Sequence, residues 1–340
     1  MTARHAVPGS QRSGFLPDRT VHLHALDRCN LACAHCYSAS SPQAGQRLPE
    51  DALLAALPDL RAAGYEVISL SGGEPLLYLH LDRVLDAARA EGFRLVAISN
   101  GFRVTPRFEA VLDRLDGLAI SFDGPEEVHN RVRGNARAWD MAWNGLTHLG
   151  QRGQPAAAAY TVSRESMEYV PEFVDRCAAL GVQAVQLRPL VMAGRAVTDY
   201  AGPELGPRDL ERLWLMGQAL SLGYAGEVAV HTDLQPGAAI AADSCAWSGL
   251  LSGTAKRLSD AINPLVIRPD GRLKPFTYDF PDRFDLGHLA DLPKLTGQGH
   301  ELLAETVAHA LECAGREGGL IDWFAHLRDV AVQEVITSCG

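Results

Sequence analysis

Cys29, Cys33 and Cys36 form a C-x3-C-x2-C run within "ALDRCNLACAHCYSAS", directly after the strand-like stretch "TVHLHAL". Thiolates crowded in this way bind metal, and coincidence is a poor account of their density in a chain of 7 cysteines. A structural zinc ion takes four protein ligands, commonly from two knuckles, and no second knuckle lies nearby. An iron-sulfur cluster held by three cysteines leaves one iron open to a ligand that is not protein. The spacing therefore points to a metal centre with one coordination position kept for a substrate or cofactor.

The elements that must position these thiolates alternate along the chain. Strand-like "TVHLHAL", "EVISLSG", "RLVAISN", "LAISFDG", "AAAAYTVS" and "AVQLRPL" are separated by helix-length segments, and a helix from about Pro207 to Leu220 closes a sixth strand-helix unit. Alternation of this kind predicts right-handed crossovers and a parallel sheet, hence an α/β fold. Gly64, Gly92, Gly117 and Gly181 stand where helices would stop. The polar motifs fall just after strand ends: the cysteines after the first, "SGGEP" after the second, "SNG" after the third and "SFDG" after the fourth. That edge of a parallel sheet or barrel is where sites are built.

The cysteine run and the motifs after it resemble the radical S-adenosylmethionine (SAM) superfamily over roughly residues 20 to 196. The resemblance implies a partial (β/α)6 TIM-like barrel whose three cysteines hold one [4Fe-4S] cluster, with SAM chelating the fourth iron. It implies reductive cleavage of SAM to a 5'-deoxyadenosyl radical and an electron donor of flavodoxin or ferredoxin type. "SLSGGEPLL" is similar to the stretch that holds the methionine amino group, giving Gly72, Gly73, Glu74 and Pro75. "ISNG" is similar to the ribose-contacting segment, giving Ser99 and Asn100. "ISFDGPEEVHNRVRG" resembles a stretch of the branch with molybdenum-cofactor, peptide-modifying and sulfatase-maturing enzymes, giving Ser121, Asp123 and Arg133. The next two strand ends of that branch add Ser163 and the loop from Leu190 to Arg195. His35 stands where the family carries an aromatic residue bordering the adenine. Hydroxyls and an amide suit a ribose, and arginine suits a carboxylate.

Beyond residue 222 the alternation is expected to stop. "INPLVIRPDGRLKPF" reads as a β-hairpin turning at Asp270-Gly271. It resembles the start of the SPASM region, which carries extra [4Fe-4S] clusters in peptide-modifying members, but Phe276 stands where a cysteine belongs. With only Cys245, Cys313 and Cys339 downstream, an auxiliary cluster is not expected. Residues 294 to 339 are expected to be helical with a break at "GREGG". The expected organisation is an N-terminal tail at 1–19, the barrel at 20–222 and a small α+β, SPASM-like extension at 223–340.

Composition narrows the partners. A formal charge of -10 argues against a nucleic-acid backbone as the main one. No apolar run approaches the 18 or so residues of a membrane span, and the scattered remaining cysteines form no disulfide framework, so the reading is cytoplasmic, without a membrane. Cys177 reads as a buried helix residue, and Trp139, Trp143 and Trp214 as packing. His22 and His24 share one strand face, where a satisfied core or cavity histidine is favoured over a ligand. His231, Asp233, Tyr160 and Tyr278 are proton donors or acceptors among which spacing does not choose, so the catalytic residue stays unassigned. The expected substrate is a ribosomally made peptide in natural-product maturation. A nucleoside or sugar intermediate is the alternative, favoured by the lost auxiliary ligands and the lack of a leader-binding domain before residue 20. A non-catalytic metal sensor is the rival of another class.

Overall fold

The computed structural model describes residues 18–101 and 105–338. The tail expected at 1–19 lies, through residue 17, outside the described residues, as does Cys339.

Six parallel strands run in sequential order: β1 Thr20–His24, β2 Val67–Ser71, β3 Arg94–Ser99, β4 Gly117–Phe122, β5 Ala156–Val162 and β6 Ala184–Pro189. The crossovers carry helices α1 Glu50–Ala62, α2 Leu81–Ala90, α3 Pro106–Leu112, α4 Glu126–Arg133, α5 Ala138–Arg152 and α6 Val170–Ala179. Strands β2 to β6 each follow a helix, and neighbours pair in register, Thr20 with Val67 and Ala157 with Ala184. This is the α/β, TIM-like partial barrel read from the sequence.

Strand periodicity of two decides what each side of the sheet does. Val21, Leu23, Ile68, Leu70, Leu95, Leu118, Ile120, Val185 and Leu187 face the helices in one continuous apolar core. On the other face Ala119, Ala157 and Ala184 form a small cluster with Ile98. Side chains this short leave space inside the curve of the sheet. His22 pairs in register with Ser69, and His24 with Ser71, so this inner face is polar along β1 and β2.

The alternation runs further than the sequence suggested. After the short α7 Ala196–Asp199 and the long α8 Pro207–Gly223, strand β7 Ala229–Thr232 adds parallel to β6. The expected hairpin forms from β9 Leu265–Ile267 and β10 Arg272–Pro275, with Gly271 in the left-handed region at φ 84°. Its first strand also pairs parallel to β1, and β11 Gly287–His288 follows at the edge. Strands of three or four residues carry too little periodicity to reveal such partners. Between β7 and β9 lie β8 Leu234–Pro236, α9 Gly237–Ala242 and α10 Ser248–Leu251. Toward the end of the chain, α11 Glu301–Glu317 stops at left-handed Gly318, β12 Leu320–Asp322 pairs antiparallel with β8, and α12 Trp323–Ser338 follows. The expected helical tail is thus interrupted by a strand.

At the position where the SPASM pattern has cysteine, Phe276 is buried and packs edge-on against Trp247 and Phe280, at ring separations of 5.4 and 5.6 Å. Behind it the fully buried Lys274 pairs with Asp282 at 2.5 Å and Asp285 at 2.6 Å, and donates to the Phe280 carbonyl. An aromatic core and a buried ion cluster hold this turn. Trp139 and Trp143 stack 5.6 Å apart under Arg176, and Cys177 is buried in the helical layer, as packing residues. Among the described residues no helix is long and apolar enough to cross a membrane.

Candidate active site

The loop after β1 carries the three cysteines, and the turn after β2 seats it. Gly73 N–H donates to the Leu26 carbonyl and Glu74 N–H to the Arg28 carbonyl. A Cβ on Gly73 would lie 2.1 Å from the Arg28 oxygen, so only glycine lets the two backbones approach this closely. Gly72 and Pro75 complete the turn, Gly72 at φ 109° and Pro75 opening a short 3-10 turn.

Glu74 then points into protein and is fully buried. Its carboxyl accepts from Leu76 N–H at 3.2 Å, Asn100 N–H at 2.9 Å and the Ser99 hydroxyl at 3.2 Å. Burial outweighs these donors and pushes its pKa up to about 7. A carboxyl in this condition gains from a cationic partner. Asn100 Nδ2 donates to Asn30 at 2.8 Å and lies 3.4 Å from the Cys29 sulfur, while its Oδ1 is buried without a protein partner.

A second group forms after β4. Asp123 and Arg133 are both buried, and Arg133 grips the carboxylate through Nε at 2.5 Å and Nη2 at 3.2 Å. His35, from the cysteine loop, meets the other side of Asp123 at 2.8 Å, and His129 approaches at 3.5 Å. Burial alone would raise the carboxyl, but Arg133 and His35 hold it well below the usual carboxylate range. Burial and the neighbouring Arg133 keep His129 neutral, with its pKa down to about 3.

Burial pushes the Cys29 thiol up to about 11 and the Cys33 thiol up to about 12. The three sulfurs sense one another electrostatically, yet among the described residues no three His, Cys, Asp or Glu side chains stand close enough to share one metal ion. The donor set, the orphaned Asn100 Oδ1 and the buried Glu74 fit a [4Fe-4S] cluster with SAM beside it.

The remaining sequence candidates divide. Ser121 lies on the inner face of β4, beside this group, and Leu190 closes the rim after β6, its N–H bonded to the Val162 carbonyl. Ser163 is buried with its hydroxyl turned to Ser166 at 3.2 Å, within its own turn. Tyr160 packs on the outer face against Phe173 and donates to the Ser166 carbonyl, away from the chamber. His231 lies on β7, paired in register with Gln186, Asp233 follows the strand, and Tyr278, after β10, brings its ring to His24.

Three residues that the sequence reading passed over also line the chamber. Arg188 pairs with Asp233 at 3.0 Å, and Gln186 donates to the same carboxylate at 2.7 Å. Asp322, brought beside Asp233 by the pairing of β12 with β8, is the third. The inward alternation of Gln186 and Arg188 was readable along β6; the arrival of Asp322 depends on tertiary folding alone. His24 donates to or accepts from Ser71 at 3.0 Å, and its ring lies 4.7 Å from that of Tyr278 and 5.8 Å from that of Tyr37. Burial lowers His22 to about 4, with help from Arg188, and His24 to about 3, so the chamber wall is neutral imidazole. Tyr37 borders the chamber, and burial pushes its phenol pKa up.

Burial and Asp233 raise Asp322 from its ordinary 3.8 to about 6. Between those values the folded state holds a proton that the unfolded chain has released, so stability falls as pH rises from about 4 to about 6. Asp322→Asn keeps an acceptor for the Phe324 and Ala325 N–H groups and removes the charge. The variant is expected to be more stable than the parent at pH 7, by on the order of 1–3 kcal/mol, with the gap closing at pH 4. Urea midpoints at the two pH values measure it, and an equal gap at both would refute it.

Residues 25–177 match the Radical SAM superfamily. Among curated relatives, Fe-coproporphyrin III synthase of Methanosarcina barkeri is 30% identical over 171 residues, 49% of this chain and 43% of that protein. The sporulation killing factor maturation protein SkfB of Bacillus subtilis is 24% identical over 211 residues, 62% of this chain and 51% of that protein. The chain thus spans about half the length of the curated relatives it matches. In fold, it superimposes on the solved structure of native anSMEcpe with bound AdoMet at a TM-score of 0.61 and 15% identity, covering 94% of this chain and 97% of that one.

Proposed function

We propose, from the radical SAM domain that this chain carries at residues 25–177, that it is an enzyme that takes a hydrogen atom from a ribosomally made peptide. The observation that carries this reading is the meeting, on one strand-end rim, of three thiols with the Glu74–Asn100 pair on one side and the Asp123–Arg133–His35 group on the other. The rim opens onto a polar chamber.

Bound there, the cluster and SAM would supply a 5'-deoxyadenosyl radical once an electron arrives from a flavodoxin- or ferredoxin-type donor. The protein's part is to hold and orient. Glu74 offers a buried carboxyl to the methionyl ammonium, Asn100 Oδ1 an acceptor to a ribose hydroxyl, and Arg133 a guanidinium to the methionyl carboxylate. Small inner side chains such as Ala119 and Ala157 leave room for a substrate, and His22, Tyr37, Tyr278 and Asp233 border it.

SkfB, a maturation protein, supports the peptide reading. The match to Fe-coproporphyrin III synthase supports a second one, a small-molecule substrate. Anaerobic reconstitution with dithionite and SAM, followed by mass spectrometry of a short peptide encoded beside this gene, separates them. Formation of 5'-deoxyadenosine with a mass change in the peptide is expected; an unaltered peptide favours the small molecule, and no nucleoside at all refutes the enzyme. With Phe276 packed where a ligand would stand, iron is expected at about four per chain, the content of one cluster; about eight would overturn the single-cluster reading.

A further inference from the structure

Arg195 lies far along the chain from the cysteines and touches none of their side chains. Its contacts are with the backbone that carries them. Its own N–H donates to the Cys36 carbonyl at 2.9 Å. Its guanidinium donates through Nε to the Cys33 carbonyl at 2.9 Å and through Nη2 to the Ser40 carbonyl at 2.7 Å. Nη1 lies 3.5 Å from the Ala39 carbonyl. One residue from the rim after β6 therefore gathers carbonyls from both ends of the Cys33–Ser40 arc. The preceding Gly194, at φ 55°, makes this approach possible, because a Cβ there would stand 2.2 Å from the Tyr37 oxygen.

Side chains of the arc add the His35–Asp123 bond at 2.8 Å and a Ser38–Ser40 hydroxyl pair at 2.8 Å. Within it, Cys36 N–H bonds to the Cys33 carbonyl and Ala39 N–H to the Cys36 carbonyl, both local turns. From outside, Ala34 N–H reaches the Val132 carbonyl, and Cys29 N–H ties the base of the loop to Ser41. Local turns fix curvature but not where Cys33 and Cys36 sit relative to Cys29. That placement falls to the Ala34 tie, to the His35–Asp123 bond on one side of the arc and to Arg195 on the other.

We propose that Arg195 is a positioning residue for the metal centre, holding the Cys33–Ser40 arc in the shape that lets three thiolates bind a cluster. It acts through carbonyl groups, as partners one layer beyond the ligands do when they fix ligand orientation. Its positive charge also lies beside the loop, where it favours the reduced, more negative form of a cluster. The same residue closes the Leu190–Arg195 loop, so metal loading and the SAM-facing rim share one fastening.

This inference rests on the proposed cluster for one arm of its test and stands without it for the other. In the first arm the full chain is kept free of metal, and hydrogen exchange is followed over Cys29–Ser41. Arg195→Ala is expected to speed exchange of the Cys36 and Ala39 amides at least about tenfold; unchanged exchange overturns the proposal. In the second arm the protein is reconstituted anaerobically. Arg195→Ala is expected to lose iron to bathophenanthroline about 10–100-fold faster, the range for such partners, and to show a lower midpoint potential. Arg195→Lys, which keeps the charge but can reach fewer carbonyls, should recover the potential more fully than the retention.

Phe276→Ala serves as the control for general destabilisation: its melting temperature should fall while iron retention and potential stay at the parent values. Should Arg195→Ala fail to fold, Arg195→Lys decides the question through its retention alone. Parent-like retention and potential in a folded Arg195 variant would overturn the proposal. A parent protein that takes up no iron would instead sink the proposed function, leaving the exchange arm to judge Arg195.

Discussion

Replacing Cys33 with alanine is expected to abolish cluster-dependent visible absorbance and to bring 5'-deoxyadenosine formation down to background, with the fold intact. Two thiolates cannot hold a cubane that already lends one iron to a non-protein ligand. Cys33 is half-buried in a loop outside the apolar core, so the barrel loses no packing with it. Its melting temperature without metal should stay within about 3 °C of the parent, as for substitutions away from core features. Cys177→Ala supplies the contrast, since that thiol lies in the helical layer: it should cost about 1 kcal/mol of stability and leave iron content unchanged. Iron analysis and chromatography of the nucleoside products distinguish the two. A Cys33→Ala protein that still cleaves SAM at the parent rate would show that the ligands were wrongly assigned.

The thiolates, the turn at Gly72 to Pro75 and the strand-end position of Asn100 and Asp123 were legible because each is a local pattern repeated at the end of a strand-helix unit. Spacing then puts them on one rim without further information. What the sequence hid were partners chosen by tertiary folding. Asp123 was readable as a site residue, but not that Arg133 and His35 converge on it from α4 and the cysteine loop. Strand β9 was readable as half of a hairpin, but its parallel pairing with β1 depends on a register between residues more than two hundred apart. Tyr160 illustrates the opposite error: a tyrosine on a barrel strand has even odds of facing outward, and here it joins the helices. Asp322 had no local signal, since only the pairing of β8 with β12 brings it to the chamber.

Asp123→Ala should be the most damaging single change outside the cysteines, because it strands a charge. Arg133 is 4% exposed, and Asp123 is the acceptor on both its Nε and Nη2. Breaking a buried pair from one side costs about 3–5 kcal/mol, since the remaining ion keeps its desolvation penalty and loses its compensation. For a domain of this size that is a fall in melting temperature on the order of 10 °C. His35 loses its acceptor in the same stroke, so the cysteine loop and the guanidinium proposed to bind the SAM carboxylate are both released. SAM cleavage should drop at least about a hundredfold, the cost of misplacing groups by an ångström or so.

A second substitution tests the cause rather than the size. If stranded charge is responsible, Asp123→Ala combined with Arg133→Leu should regain much of the lost stability, because removing both ions with an apolar replacement is often close to neutral. It should regain none of the SAM cleavage. A double variant as unstable as the single one would place the damage in lost packing, and a single variant that melts with the parent would mean that Asp123 and Arg133 do not form the buried pair on which this half of the site is built.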